Sequence, residues 1–127
     1  MEVNIPEVLA ELTATFRRYD PALLTNDLET LNELFWSSPL VVRFGITENL
    51  YGYDSIAKYR RQDVTPGSIP QRKVTNEVIT TYGNTFGTTN VEYVQVNSGR
   101  RGRQSQVWMR MPEGWRIVSA HVSLLDE

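Results

Sequence analysis

The chain has 127 residues, 40% of them hydrophobic and 22% charged, and its 13 basic and 15 acidic side chains give a net charge of −2. This size and balance are typical of one globular domain that can bury a core. The lack of concentrated positive charge argues against a nucleic-acid partner. Cysteine is absent, which excludes disulfides and thiolate sites, and a single histidine excludes a multi-histidine zinc site. A carboxylate-only metal site stays open.

The amino terminus gives no targeting signal. The segment MEVNIPEVLAEL has early acidic residues and no basic stretch before an apolar run, so no signal peptide is predicted. Strictly aliphatic runs reach only about three residues, far short of a membrane span. We therefore predict a cytoplasmic protein without membrane contact.

The first predicted element is a helix with one apolar face. Its spacing of i, i+3, i+4, i+7, i+11 and i+14 fits a 3.6-residue period. The residues concerned are Ile5, Val8, Leu9, Leu12, Phe16 and Tyr19. Because Tyr19 ends this stripe, its ring should point inward. Pro21 is expected to kink or restart the helix.

Two more helices and a short strand follow. A second helix is predicted to begin near Asn26-Asp27, which are good capping residues, and to end at Ser37-Ser38-Pro39. Residues 40–44 are expected to form a short strand and residues 45–53 a loop. A third helix is predicted from about Asp54 to Gln62. The segment VTPGSIPQRK (64–73), with two prolines and a glycine, is predicted to be a connector.

The remaining sequence predicts an antiparallel meander in one domain spanning residues 1–127. Strands are expected at 73–82, 85–96, 103–111 and 115–124, separated by turns at 83–84, 97–99 and 112–114. Helices followed by strands indicate an α+β fold, with three amino-terminal helices packed on one face of a curved antiparallel sheet.

The last strand contains the only histidine. Alternation places Ser119 and His121 on one face with Trp115, so both are candidates to line a pocket. A core or rim histidine with one hydrogen bond is an equally good interpretation. The opposite face, which includes Val118 and Val122, is mostly aliphatic and is expected to pack internally or form a dimer contact.

Arg43 lies in the short apolar strand and needs a partner, because burial of an unpaired guanidinium is costly. One interpretation is an internal salt bridge, with Glu48 as the candidate partner. The other is a forked donor for a substrate carboxylate. Glu48 itself is a candidate general base, although a solvated loop carboxylate is the commoner case.

Tyr19 and the remaining arginines also allow two interpretations. A buried Tyr19 packs in the core, but near an arginine its phenol is a reasonable proton donor or water-orienting group. Arg60 and Arg61 cannot both point inward, and Arg60 is the candidate for substrate binding. The arginines at 100, 101 and 103 are expected to be exposed and are weak support for RNA binding.

Three segments resemble the AtzH-like (HpxZ-like) proteins. They are FRRYDPALLTNDLETLNELFW, VVRFGITENLYGYDSI and GRQSQVWMRMPEGWRIVSAHVSLLDE, and the resemblance extends over nearly the whole chain. This family belongs to the superfamily of nuclear-transport-factor-2-like, cystatin-like folds, which also includes ketosteroid isomerase. The resemblance implies a conical α+β barrel, a homodimer with a pocket in each cone, and no cofactor. Relatives tend to carry an arginine-rich helix extension where this chain has residues 62–73, so the pocket mouth is expected to differ.

The resemblance also implies an activity. Family members are found beside amidase-signature enzymes in nitrogen catabolism, and their suggested reaction is amide hydrolysis with loss of carbon dioxide from a small dicarboxylated urea, giving allophanate. The suspected catalytic tyrosine and arginine of the family match Tyr19 and Arg43. We therefore expect a cofactor-free hydrolase or decarboxylase acting on a small anionic substrate.

Two alternatives stay open at this stage. The first is a non-catalytic small-molecule-binding protein or an accessory partner of an amidase, which the small number of acid–base groups favours. The second is a ketosteroid-isomerase-like enzyme, for which Glu48 is the only loop acid that could serve as the base.

Overall fold

The computed structural model describes residues 1–62 and 69–127, and it confirms the predicted α+β fold class. The helices are α1 (Pro6–Phe16), α2 (Tyr19–Leu24), α3 (Leu28–Leu34) and α4 (Tyr53–Gln62). The strands are β1 (Val42–Phe44), β2 (Asn49–Tyr51), β3 (Arg72–Tyr82), β4 (Phe86–Gln95), β5 (Arg101–Met111) and β6 (Gly114–Leu124). Within the described residues, no helix has both the length and the apolar character that a membrane crossing requires.

The six strands form one sheet in the order β2-β1-β6-β5-β4-β3. Neighbouring strands are antiparallel except β1 and β6, which are parallel, so the sheet is mixed rather than wholly antiparallel. Strand β2 lies in the segment predicted to be a loop. It was missed because three residues bounded by turns carry almost no periodic signal.

The first predicted helix is divided into α1 and α2. Pro21 has no N–H group, so the carbonyl oxygen of Arg17 cannot accept the usual bond from four residues ahead, and α1 ends at Phe16. Tyr19 therefore begins α2 instead of ending α1. Its side chain is nevertheless buried, so its predicted inward orientation is confirmed.

Helix α3 begins where the capping residues predict and ends earlier than expected. The Asp27 side chain accepts a hydrogen bond from the Thr30 backbone N–H at 3.2 Å. The helix ends at Leu34 because Phe35 has an extended backbone and bridges to Ile117 of β6. This bridge fixes the helical layer against the centre of the sheet.

A β-bulge in β6 reverses which side chains face the helices. Trp108 pairs with Ile117 and Val107 pairs with Ser119, so Val118 is an extra residue. Trp115 and Ile117 are buried before the bulge, and Ala120 and Val122 are buried after it. Strict alternation across this point was wrong, because the bulge shifts the register by one residue.

The core forms where α1 packs on β3, β4 and β5. The Phe16 and Trp108 rings meet edge to face with their centroids 6.4 Å apart. Leu12 is completely buried beside Gly87 of β4, where the absence of a side chain lets the helix approach the strand. This close approach holds the helical layer over one end of the sheet.

We expect Gly87→Ala to destabilise the fold by about 1–3 kcal/mol, because a Cβ at this position would lie 2.7 Å from the Thr80 carbonyl oxygen and would overlap a Leu12 methyl group. Chemical denaturation should report the change as a lower midpoint. Thr88→Ala is the control, since Thr88 is less buried and is the next residue in the strand. Equal stability of the two variants would contradict a tight contact at Gly87.

Candidate functional site

A cavity of about 490 Å³ lies between the helices and the inner face of the sheet. Its polar lining includes Tyr19, Arg43, Glu48, Arg60, Arg72 and Gln104, and its apolar lining includes Leu23, Leu28, Leu31 and Val122. The structure thus brings together Tyr19, Arg43, Glu48 and Arg60. A cavity of this size, mostly apolar with convergent polar groups, is suited to a small molecule.

Tyr19 is 1% exposed and lies at the start of α2. Burial alone raises the pKa of its phenol. The nearby guanidinium groups of Arg60, Arg43 and Arg72, together with a hydrogen bond from Arg60, more than offset burial, so the pKa is lowered overall. The phenol is consequently a stronger acid than an ordinary tyrosine.

Arg60 points inward from α4, whereas Arg61 is exposed, so only one of these two arginines reaches the cavity, as predicted. Its guanidinium lies over the Phe35 ring, 4.9 Å from the centroid. Within residues 1–62 and 69–127, its Nε and Nη2 atoms are buried and have no hydrogen-bond partner. Burial lowers the pKa of Arg60, although the neighbouring Tyr19 partly opposes this effect. Arg60 therefore has a largely buried guanidinium with no carboxylate partner among the described residues.

Arg43 and Glu48 form the ion pair that the sequence suggested, with 3.0 Å between Nη1 and Oε1. Partial burial raises the pKa of Glu48, but hydrogen bonds from Thr47 and Arg43 outweigh it and hold the pKa below its usual value. The carboxylate is ionised and already engaged, which makes Glu48 a poor general base at neutral pH. The Nε atom of Arg43 is buried and has no hydrogen-bond partner in the described part of the chain.

Gly45 is what allows Glu48 to fold back onto Arg43. A Cβ at this position would overlap the Glu48 carboxylate and lie 3.1 Å from Arg43 Nη1. We expect Gly45→Ala to displace the carboxylate and to destabilise the protein by about 1.5–3 kcal/mol, the range for hydrogen bonds to charged groups. Thermal unfolding would measure this change.

A double-mutant cycle provides the control for Gly45→Ala. In a Glu48→Ala background the overlapping carboxylate is gone, so the same glycine substitution should cost much less. An undiminished cost in that background would mean that Gly45 acts on the backbone rather than on the ion pair.

The polar cluster around Arg72 was not predicted. Its Nη2 lies 2.7 Å from Asp20 Oδ1, its Nη1 donates to Gln104 Oε1 at 3.0 Å, and its guanidinium stacks 4.7 Å from the Tyr93 ring centroid. Arg72 was missed because it lies in the segment 64–73, which was predicted to be a connector. Gln104 carried a usable signal, because it alternates with Gln106 and Trp108 and so shares the inward face of β5.

His121 and Ser119 lie outside the cavity, contrary to prediction. Both are exposed, and the His121 ring packs edge to face on Phe44 with 5.8 Å between centroids. The bulge at Val118 turns them to the outer face of the sheet. The aliphatic set is turned inward at the same point, and Val122 lines the cavity.

The connector prediction lies partly outside the described residues, which omit 63–68. Just beyond this gap, Ile69, Pro70 and Gln71 line the cavity. Across the described ranges, no group of three or more His, Asp or Glu side chains is placed to hold a metal ion.

Comparison with known proteins establishes the family. The AtzH-like family profile matches residues 1–127, the full chain. The chain belongs to the AtzH-like family. No curated protein matches it.

Several solved structures are similar to this chain over nearly its whole length. A protein of unknown function from Pectobacterium atrosepticum is 46% identical, with a TM-score of 0.92 over 98% of this chain and 95% of that one. A cystatin-like fold protein from Burkholderia xenovorans is 42% identical, with a TM-score of 0.90 over 100% and 98%. An NTF2-like superfamily protein from Salmonella enterica is 26% identical, with a TM-score of 0.77 over 95% and 93%. The predicted family and superfamily are confirmed.

Proposed function

We propose that this AtzH-like protein is a cofactor-free hydrolase or decarboxylase acting on a small carboxylated urea- or amide-like anion. The observation that carries the proposal is the pairing of Arg60, a buried cation with two unpartnered N–H-bearing nitrogens within the described structure, with Tyr19, a buried phenol of lowered pKa. A cation of this kind binds an anion, and an acidic phenol supplies a proton.

The charge balance of the cavity favours an anionic ligand. Three arginines line it, but Arg43 is paired with Glu48 and Arg72 with Asp20. Arg60 therefore leaves a positive charge that is uncompensated by any described carboxylate. A ligand carboxylate placed there would accept hydrogen bonds from the free guanidinium nitrogens and would offset the cost of burying the charge.

The proposed decarboxylation needs only one proton donor from the site. When the bond between nitrogen and a carboxylate carbon breaks, carbon dioxide leaves and the electron pair stays on nitrogen. The Tyr19 phenol donates its proton to that nitrogen, and the resulting phenolate regains a proton from solvent. The lowered pKa of Tyr19 assists this transfer.

Arg60 should hold the carboxylate that is retained, not the one that leaves. An ion pair to the departing carboxylate would stabilise the ground state more than the transition state and would slow the reaction. The leaving group would instead face the apolar part of the lining, near Leu28 and Leu31. Desolvation there favours loss of neutral carbon dioxide.

The test is release of carbon dioxide from a dicarboxylated urea, compared with the spontaneous rate at the same pH. The wild-type protein and the exposed-site control Arg61→Met should both exceed the spontaneous rate. A wild-type rate equal to the spontaneous one, with substrate bound, would refute catalysis.

A non-catalytic binding role, or service as an accessory partner of an amidase, is the second candidate. The observation that favours it is that Glu48, the only carboxylate in the described lining, is held by Arg43 and has a lowered pKa. The same observation weighs against a ketosteroid-isomerase-like reaction, which needs a carboxylate base. Calorimetry that detects ligand binding without turnover would favour the binding role.

The homodimer and the amidase partner rest on the family resemblance alone. Sedimentation equilibrium would test the homodimer, for which the expected mass is twice the 14.6 kDa of one chain. Co-purification with an amidase-signature enzyme from the same cells would test the amidase partner.

A further inference from the structure

Gln104 is a buried amide on the wall of the cavity. It lies on β5, is 2% exposed, and faces inward between Gly102 and Gln106. Its Oε1 accepts a hydrogen bond from Arg72, but its Nε2 has no partner in residues 1–62 and 69–127. An amide buried with half of its hydrogen-bonding capacity unused costs free energy unless a ligand engages it.

Arg72 fixes which end of the amide is free. A guanidinium can only donate hydrogen bonds, so the Gln104 oxygen must face Arg72 and the nitrogen must face away. Asp20 holds Arg72 in turn through Nε and Nη2, and Arg72 itself is 8% exposed. Asp20 follows Tyr19 directly in α2, so the donor and the phenol are positioned by one connected unit.

Among the described residues, the buried side-chain atoms of the lining that lack a hydrogen-bond partner are all donors. They are the Nε of Arg43, the Nε and Nη2 of Arg60, and the Nε2 of Gln104. A ligand that satisfies them must present several acceptor oxygens. The arginines suit a carboxylate, whereas the neutral amide of Gln104 suits an uncharged carbonyl oxygen, since it adds no further positive charge.

We propose that Gln104 is a specificity-determining residue that selects ligands carrying a neutral carbonyl oxygen beside a carboxylate, by donating a hydrogen bond from Nε2 to that carbonyl. The inference deepens the proposed function, since it rests on the same cavity and anion site. It assigns to Gln104 the preference for ureido or amido carboxylates over simple carboxylates of equal size.

Two stable probes of matched shape test the proposal by calorimetry. N-carbamoylglycine carries a carboxylate and a ureido carbonyl, and 4-methylpentanoate has the same branching and carboxylate without the carbonyl. We expect Gln104→Met to lower the ratio of their affinities, N-carbamoylglycine over 4-methylpentanoate, by about tenfold, the size of one buried hydrogen bond. Gln104→Glu, which keeps an oxygen for Arg72 but removes the donor, should lower the ratio as well.

Gln106→Met is the matched control. Gln106 is 1% exposed on the same strand, its Oε1 is held by Thr89 at 2.9 Å and its Nε2 also lacks a partner in the described structure, but it does not line the cavity. The Gln106→Met variant should keep the affinity ratio of the wild-type protein. An unchanged ratio in both Gln104 variants, an equal loss in Gln106→Met, or failure of the wild-type protein to bind N-carbamoylglycine would overturn the proposal.

The binding test separates this inference from the proposed catalysis, because neither probe carries a carboxylate on nitrogen and neither can lose carbon dioxide in the proposed reaction. A ratio that falls in the Gln104 variants of a protein that does not turn over dicarboxylated urea would support the specificity role and refute the enzyme. Turnover of dicarboxylated urea together with an unchanged affinity ratio in the Gln104 variants would support the enzyme and refute the specificity role.

Discussion

Replacing Arg60 by methionine is expected to stabilise the unliganded protein while removing its affinity for small carboxylates. The free energy of unfolding should rise by about 1–3 kcal/mol, because a largely buried guanidinium with no carboxylate partner in the described structure is replaced by an apolar side chain of similar length. Affinity for N-carbamoylglycine should fall by about 10²-fold or more, the usual result of removing one partner of a buried charge pair.

The opposite signs of these two effects make the prediction specific to a binding site. A structural arginine that held α4 in place would lose stability on substitution. Arg60 instead contacts Tyr19 and the Phe35 ring, and two of its nitrogens find no partner in the described residues. A bound anion would satisfy these nitrogens and offset the cost of burying the charge.

Arg61→Met is the matched control, because Arg61 is the next residue on α4 and is exposed. Neither the free energy of unfolding of Arg61→Met nor its affinity for N-carbamoylglycine should change appreciably. Chemical denaturation without ligand and calorimetry with N-carbamoylglycine provide the two measurements. Loss of stability in Arg60→Met with retained affinity would assign Arg60 to the fold and not to the site.

The sequence allowed the fold to be predicted well because its signals are local and periodic. Strands β3 to β6 were placed to within two residues, since alternation and the turns at 83–84 and 112–114 define them. The division between α1 and α2 follows from Pro21, and a kink or restart of the helix there was predicted. Tyr19 was assigned to the end of the first helix, whereas it is the first residue of α2.

The site was harder to predict, because the positions of several of its side chains depend on strand pairing between residues far apart in the sequence. The bulge at Val118 depends on pairing with Val107 and Trp108, so no pattern within β6 itself reveals that Ser119 and His121 face outward. Arg72 and Gln104 meet only because β3 and β5 flank the same strand, β4. Tyr19, Arg43 and Arg60 were identifiable because each is conspicuous in its local setting.

Replacing Tyr19 by phenylalanine is expected to lower the rate of carbon dioxide release from a dicarboxylated urea by about 10²–10⁴-fold, the usual contribution of a positioned acid. Ligand affinity should change little, since Arg60 remains. Tyr82→Phe is the control: Tyr82 stacks on Phe86, with 5.1 Å between centroids, and does not line the cavity. Retention of the wild-type rate in Tyr19→Phe would remove the proposed acid.

The pH dependence gives Tyr19 a second signature that a packing role would not produce. As the acid, Tyr19 must be protonated, so the wild-type rate above the spontaneous one should fall as the pH rises through its lowered pKa. The tyrosinate absorbance of the six tyrosines should include one step below the ordinary phenol range, absent in Tyr19→Phe. Arg60→Met should move that step to higher pH, because the guanidinium of Arg60 is the largest of the charges that lower the pKa. If burial were the only influence, the Tyr19 step of the wild-type protein would lie above the ordinary phenol range. Observing the step there would contradict the proposed effect of the three arginines on the pKa of Tyr19.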